Sequence, residues 1–290
     1  MTVYLNGMYL DQSQAVVSVD DRGFLFGDGV YEVTRARNGV LFEGDRHLRR
    51  LRRGLEGLSI ALPPGLELEA LAAISERLLQ ENDLGTGDAT VYLQITRGSA
   101  PRRHQFPPPG TPPTVYLTAN RLVLPDDVRS RGAAAVTTAD VRWGRCDLKT
   151  INLLPNVLAK QQAVAAGAFE ALLVRDGIVT EGASSNLFAV VDGVIRTHPA
   201  TNRILAGITR EVLLELAAEL ALPVAQDPIR VEDLGRATEV MVTATTADVM
   251  PIVHVDGRPV RDGRPGPVAR QLHGALTRRL DQATARVGVK

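Results

Sequence analysis

Apolar and polar positions alternate in short runs over the first part of the chain, and compact turns join the runs. Residues 3–10 carry Asn6-Gly7 between apolar stretches, the pair favoured by a type I′ hairpin turn. Residues 30–37 alternate as a strand would, and Asn38-Gly39 turns them into Val40-Leu41-Phe42. Leu48, Leu51, Leu55 and Leu58 then recur at helical spacing, with Arg49, Arg50, Arg52 and Arg53 mostly off that face. A second helix is expected over residues 66–80, and strands over 89–96 and 114–119. Between those strands lies a long proline-bounded loop, Gly98 to Gly110, and a loop of that length tends to be functional rather than a mere connector.

The second half alternates strand and helix patterns. Strands are expected over 134–141, 170–174, 178–180, 187–191, 194–197, 239–243 and 252–255, and helices over 156–166, 208–220 and 267–283. Asp176-Gly177 and Asp192-Gly193 supply tight turns between some of the strands. Short hairpin links argue for antiparallel or mixed sheets and against a doubly wound dinucleotide fold. The division expected is a small N-terminal domain over 1–120, a linker over 121–133 that contains Pro125-Asp126-Asp127, and a larger domain over 134–290.

A length of 290 residues suits one large or two smaller domains, and 44% hydrophobic residues suffice for a real core. The formal net charge is zero, so nothing in the overall charge attracts nucleic acid or an acidic membrane. No apolar run of about 18 residues occurs, so no membrane span is expected. The N-terminus lacks a basic start followed by an apolar run, so no signal peptide is expected. A single cysteine, Cys146, forbids an intrachain disulfide and fits a cytoplasmic setting.

Lysine usage changes the picture. Of 33 basic residues only Lys149, Lys160 and Lys290 are lysine, and the rest are arginine. A lysine kept against that bias belongs where arginine fails chemically, because a lysine amine can lose its proton and attack a carbonyl. Lys290 ends the chain, and Lys160 falls in a helical pattern where a solvated surface is expected. Lys149 follows an expected strand. It reads either as a reactive amine on a rigid platform, its pKa lowered by burial, or as a strand-end lysine reaching solvent.

Other segments admit two readings each. Thr180 to Asn186 (TEGASSN) holds Glu181, a carboxylate that would suit a pyridinium nitrogen, yet Gly, Ser and Asn also make a plain polar turn. Leu205-Ala206-Gly207-Ile208-Thr209 opens a helix and offers either a phosphate seat or an ordinary helix start. Thr243-Ala244-Thr245-Thr246 adds hydroxyls after a strand, and Arg50 could give a forked contact to phosphate. Arg102 and His104 could both address one carboxylate or simply sit in a solvated loop. The histidines show no metal-ligand spacing, and no metal site is expected.

Taken together, DRGFLFGDGVYEV at 21–33, TRGSAPRRHQFP at 96–107, RCDLKTINLLPNVLAKQQA at 145–163, TEGASSNLF at 180–188, THPATNRILAGITR at 197–210 and VTATTADVMPI at 242–252 resemble the fold-type IV pyridoxal-phosphate aminotransferases. They most resemble the D-amino-acid branch of that family. The stretches are collinear and span nearly the whole chain.

The resemblance implies an α+β fold, with a small N-terminal α/β domain, a larger C-terminal mixed-sheet domain and pyridoxal 5′-phosphate between them. It implies that Lys149 forms the Schiff base and moves the Cα proton, and that Glu181 partners the pyridine nitrogen. Arg50, Ile208, Thr209 and Thr245 match phosphate-holding positions, Leu205 the residue packed on the ring, and Ser185 a further coenzyme-side position. Tyr31 and Tyr92 match substrate-facing positions. Arg102 and His104 match a carboxylate trap delivered by the partner subunit of a homodimer.

The implied reaction is ping-pong transfer of an amino group between D-amino acids, such as D-alanine, D-glutamate or D-aspartate, and 2-oxoacids. Branched-chain L-amino-acid transaminases, (R)-amine transaminases and aminodeoxychorismate lyases share the lysine and glutamate but generally lack the Arg-x-His loop. Arg103, Pro155 and Ala244 depart from the usual pattern, and Ala244 removes a hydroxyl near the expected coenzyme.

Overall fold

The computed structural model describes residues 1–285, and the chain forms two compact units. The first unit comprises residues 1–123 and 148–153, with residues 282–285. Its elements are β1 (Thr2–Leu5), β2 (Met8–Asp11), α1 (Arg22–Phe26), β3 (Gly29–Arg37), β4 (Val40–Leu41), α2 (Gly44–Leu58), α3 (Ala70–Glu81), β5 (Asp88–Thr96) and β6 (Thr114–Arg121). The strands build one antiparallel sheet in the order β2-β1-β6-β5-β3-β4.

Period-two burial gives this sheet two distinct faces. On β5 the side chains of Ala89, Val91, Leu93 and Ile95 are buried, while Thr90, Tyr92 and Gln94 point to the other, half-exposed face. The buried side packs under Leu51 and Leu55 of α2 and Leu71, Leu78 and Leu79 of α3, which together form a continuous apolar core. Tyr31 and Tyr92 therefore share the face away from the helices, and Glu32 lies on the face beneath them.

Two boundaries differ from the sequence expectation. Helix α3 starts at Ala70 rather than near residue 66, because Pro63-Pro64 and Gly65 fold into a turn closed by the Leu66 amide on the Pro63 carbonyl. The expected linker over 121–133 contains a helix, α4 (Asp126–Arg131).

The second unit comprises residues 124–147 and 154–281. After α4 come β7 (Ala133–Ala139), α5 (Leu154–Ala165), β8 (Glu170–Arg175), β9 (Ile178–Gly182), β10 (Asn186–Val191), β11 (Val194–Arg196), α6 (Ile208–Glu219), β12 (Val224–Ala225), β13 (Ile229–Arg230), α7 (Val231–Leu234), β14 (Glu239–Ala244), β15 (Asp248–Val255), β16 (Arg258–Pro259) and α8 (Pro267–Ala285). The sheet runs β12-β11-β10-β14-β15-β7-β8-β9-β13, with β16 pairing β15. It is mixed. β7 runs parallel to both β8 and β15, β11 to β12, and the remaining pairs are antiparallel. Its core gathers Leu172, Leu187, Val240, Val242, Met250 and Ile252 with their neighbours.

The Asx-Gly pairs read from the sequence make the hairpins of both sheets. Asn6-Gly7, Asn38-Gly39, Asp176-Gly177 and Asp192-Gly193 all hold positive φ at both residues, the conformation of a type I′ turn. Strand β15 begins at Asp248, earlier than the expected 252, since Pro251 masks the pattern. In the sheet Pro251 sits opposite Met241 of β14, and β7 pairs only from Ile252 onward.

Lys149 follows no strand. β7 ends at Ala139, and residues 148–153 pack with the first unit although the sequence boundary places them in the second. There they take the edge of β3 beyond the point where β4 stops. The Tyr31 amide donates to the Lys149 carbonyl at 3.0 Å, and the Ile151 amide donates to the Gly29 carbonyl at 3.0 Å. That edge would otherwise present unpaired backbone groups.

Candidate active site

In the first unit the edge pairing places Lys149 over Tyr31, with Nζ 4.1 Å from the ring centroid. The lysine is half-buried. Tyr31 stands beside Tyr92, ring centroids 5.9 Å apart, and Tyr92 beside Tyr116 at 6.4 Å. The Tyr92 hydroxyl donates to Gln94 Oε1 at 2.6 Å. Burial, reinforced by the two neighbouring phenols, pushes its pKa up to about 12, so Tyr92 remains a neutral hydrogen-bonding group. Two residues expected to face substrate are thus brought together with the lysine on one sheet face.

Beneath that face Arg50 is held by a buried carboxylate. Its Nε donates to Glu32 Oε1 at 2.7 Å and its terminal nitrogen to Oε2 at 2.8 Å, a forked pair. His47 Nδ1 meets Oε2 at 2.8 Å. Burial alone would raise the Glu32 carboxyl, but the charge and hydrogen bonds of Arg50 override it and keep it below the usual carboxylate range. Burial lowers His47, leaving it neutral. Arg50 is expected from the sequence, whereas Glu32 falls only inside the matched stretch 21–33 and His47 only among the histidines without metal-ligand spacing. The i, i+3 spacing of His47 and Arg50 on α2 was the available signal.

Arg102 and His104 sit on the loop between β5 and β6, and both are exposed. The Arg102 guanidinium lies 5.2 Å from the Phe26 ring centroid, and the His104 ring packs edge-on against the same ring at 5.8 Å. Phe26 thus gathers the two side chains of the expected carboxylate trap.

In the second unit Glu181 lies one residue before the end of β9, buried, and is gripped from three sides. Arg142 donates to Oε1, Asn186 Nδ2 to Oε2 at 2.8 Å, and the Leu205 amide reaches the carboxylate at 3.1 Å. Arg142 also forks onto Asp140, its Nε and a terminal nitrogen each 2.9 Å from the carboxylate oxygens. One guanidinium therefore separates two carboxylates of opposite character. Burial would raise Asp140, yet the bonds from Arg142 hold it at about 2. Burial pushes Glu181 up to about 7, only partly opposed by Arg142. Glu181 is poised to share a proton with a basic nitrogen placed against it.

Asn186 links this carboxylate to the next segment, since its Nδ2 also donates to the Leu205 carbonyl at 2.8 Å. A side chain at Gly207 would collide with Asn186 Oδ1, so α6 starts close against it. Helix α6 has no side-chain cap at Gly207, and its first residues Ile208 and Thr209 present uncapped N-terminal amides. Thr245 lies half-buried in the turn between β14 and β15. Ser185 donates its hydroxyl to Glu170 at 2.7 Å. Arg142, Asp140 and Asn186 escaped the sequence reading, because an Asp-x-Arg after a strand and an asparagine in a polar turn are common. Lys160, expected to be solvated, donates to the Phe169 carbonyl and lies 3.5 Å from the buried Glu170.

The donor sets suit a phosphorylated pyridine aldehyde. The first unit holds an amine beside a tyrosine and an anchored arginine, and the second holds a buried carboxylate of raised pKa and an uncapped helix start with a hydroxyl. The model of the class IV aminotransferase family matches residues 29–255. This chain is a class IV aminotransferase. Relatives bear the same relation over nearly full length. A D-alanine aminotransferase of Staphylococcus epidermidis is 44% identical over 93% of this chain and 94% of its own, and one of Bacillus licheniformis is 42% identical over 99% of each. Among solved structures, the T.th. branched-chain amino acid aminotransferase with pyridoxamine 5′-phosphate superposes with a TM-score of 0.87 at 29% identity, covering 98% of this chain and 94% of that one. The class IV aminotransferase thus has the fold-type IV, α+β architecture expected from its sequence. Among its described residues no helix is long and apolar enough to cross a membrane.

Proposed function

We propose that the chain is a D-amino-acid:2-oxoacid transaminase that uses pyridoxal 5′-phosphate. Full-length relatives named D-alanine aminotransferase support the reaction class, and the pyridoxamine-phosphate neighbour supports the coenzyme. The observation that carries the substrate class is the joint placement of Arg102 and His104 on Phe26, two hydrogen-bond donors suited to one carboxylate. The bound coenzyme would supply an electron sink for the substrate Cα.

The residues divide the remaining work. Lys149 is the amine that would hold the coenzyme and would move the proton at Cα. Glu181, held by Arg142 and Asn186, would keep a proton at the ring nitrogen. Leu205 would pack on the ring, and Ser185 would lie on the coenzyme side. Arg50, Ile208, Thr209 and Thr245 hold phosphate, with α6 offering its N-terminal amides. Tyr31 and Tyr92 face the substrate. Arg102 and His104 trap its carboxylate in the partner's site of a homodimer, so that the D-configured Cα–H meets the lysine. A cytoplasmic location belongs to the same reading.

The test is a panel of D-alanine, D-glutamate, L-leucine and (R)-phenylethylamine with 2-oxoglutarate as acceptor. D-Alanine or D-glutamate is expected to give the highest kcat/KM. A preference for L-leucine would overturn the proposal in favour of a branched-chain L-amino-acid enzyme.

A further inference from the structure

The loop carrying Arg102 and His104 is exposed and rich in proline, yet it is latched to the body of the first unit by buried charge. At its base a single carboxylate ties both stems. Asp21, 1% exposed, caps α1 through the Gly23 amide at 2.7 Å and also accepts from Thr96 Oγ1 at 2.8 Å and Thr114 Oγ1 at 2.6 Å. Thr96 ends β5 and Thr114 begins β6, so the loop leaves and returns at one fixed point. The Arg22 amide donates to the Gly98 carbonyl at 2.9 Å. At Gly98, φ is +85°, and a Cβ would lie 1.9 Å from the Pro112 carbonyl oxygen, so the two arms of the loop touch there.

The tip is held by Arg22 itself, 4% exposed. Its terminal nitrogens donate to the backbone carbonyls of Arg103 at 2.7 Å, Gln105 at 3.3 Å and His104 at 3.4 Å. Its Nε donates to Asp28 at 2.8 Å. Asp28 is gripped from the other side by Arg97 at 2.8 and 3.0 Å. Arg97 is in turn fixed by the Leu58 and Ser59 carbonyls at the end of α2 and stacks on Phe106, 3.7 Å from the ring. Burial would raise Asp28, but the two guanidiniums hold it below the usual carboxylate range. Three consecutive carbonyls drawn onto one buried cation fix the backbone from which Arg102 and His104 project.

We propose that Arg22 and Asp28 are positioning residues that preset the carboxylate-binding loop and thereby set the enzyme's selectivity for amino acids. This rests on the reading of Arg102 and His104 as the trap. Arg22 touches the loop backbone, Asp28 and the ring of Phe26, 4.8 Å from its centroid, so its contribution is geometric. A misplacement of about 1 Å at a substrate-holding group is enough to cost on the order of tenfold to a hundredfold.

The test uses the holoenzyme with Arg22→Met, Arg22→Lys and Asp28→Asn, beside Arg102→Ala. Two readouts are taken: KM and kcat for D-alanine, and the rate of tryptic cleavage after Arg102 and Arg103, followed by mass spectrometry. For Arg22→Met and Asp28→Asn, KM is expected to rise about tenfold or more with kcat within roughly threefold, and cleavage to accelerate about tenfold. Arg22→Lys is expected to recover part of both effects. Unchanged KM and unchanged cleavage in Arg22→Met would overturn the proposal. If that variant does not fold, the same outcome in Asp28→Asn overturns it. Arg102→Ala separates the two layers. An unchanged KM there removes the trap reading and with it the claim on selectivity, while faster cleavage in Asp28→Asn still registers the brace.

Discussion

Replacing Glu32 by glutamine is the sharpest probe of how Arg50 is held. The exchange preserves shape and volume but removes the charge that two arginine donors and His47 share. Both partners are almost fully enclosed, with the Arg50 side chain 8% exposed and Glu32 4% exposed, so solvent screens little of the loss. Breaking a buried pair by removing one member costs about 3–5 kcal/mol, because the remaining charge stays desolvated. The amide oxygen of glutamine keeps one hydrogen bond, worth about 1 kcal/mol, which leaves an expected loss of about 2–4 kcal/mol. For a domain of this size that corresponds to a fall of roughly 5–12 °C in Tm. Urea unfolding of the coenzyme-free protein at neutral pH, followed by far-ultraviolet circular dichroism, measures it. Arg50→Ala in the glutamine background is expected to cost less than the sum of the two single changes, since neither then strands a charge. A loss below about 0.5 kcal/mol for Glu32→Gln, the scale of an ordinary surface change, would refute the claim that this carboxylate holds the arginine.

Other outcomes follow from the same geometry. Lys149→Arg is expected to abolish transamination as completely as Lys149→Ala, because a guanidinium stays charged. A turnover number near that of the parent would contradict the role of the amine. Arg102→Ala should raise KM for D-alanine with a much smaller change in kcat, read from initial rates with 2-oxoglutarate. The pH dependence of stability carries the signature of His47. Burial depresses its pKa from the ordinary 6.5, so below that pH the unfolded chain binds more protons than the folded one. Stability present above pH 6.5 is therefore lost as the pH falls through 6.5 toward the depressed value. His47→Gln should flatten the slope between pH 7 and 5, and an unaltered slope would assign the titration to another group.

Much of the fold was legible because its signals are local. The Asx-Gly turns and the leucine spacing on α2 need only a few neighbouring residues to act. What escaped depended on partners distant in sequence. Asp140, Arg142 and Glu181 form one charged group only because β7, β8 and β9 are adjacent strands, and no spacing along the chain reveals that a guanidinium divides two carboxylates. Glu32 was obscured for a related reason. A charged residue on the buried face of a strand contradicts the alternation rule until the arginine and histidine that compensate it are seen on the helix above. Lys149 was read as the end of a strand, whereas its rigidity comes from the exposed edge of β3, some 120 positions earlier in the chain.

That borrowed edge has a consequence for the gene as well as the enzyme. Lys149 is encoded inside the stretch that builds the second sheet but is clamped by the first. A recombination event that exchanged either half with a distant homologue would separate Lys149 from the strand edge that holds it, even at a crossover in the surface segment near residue 123. Viable chimaeras should therefore inherit residues 29–31 and 148–153 from the same parent.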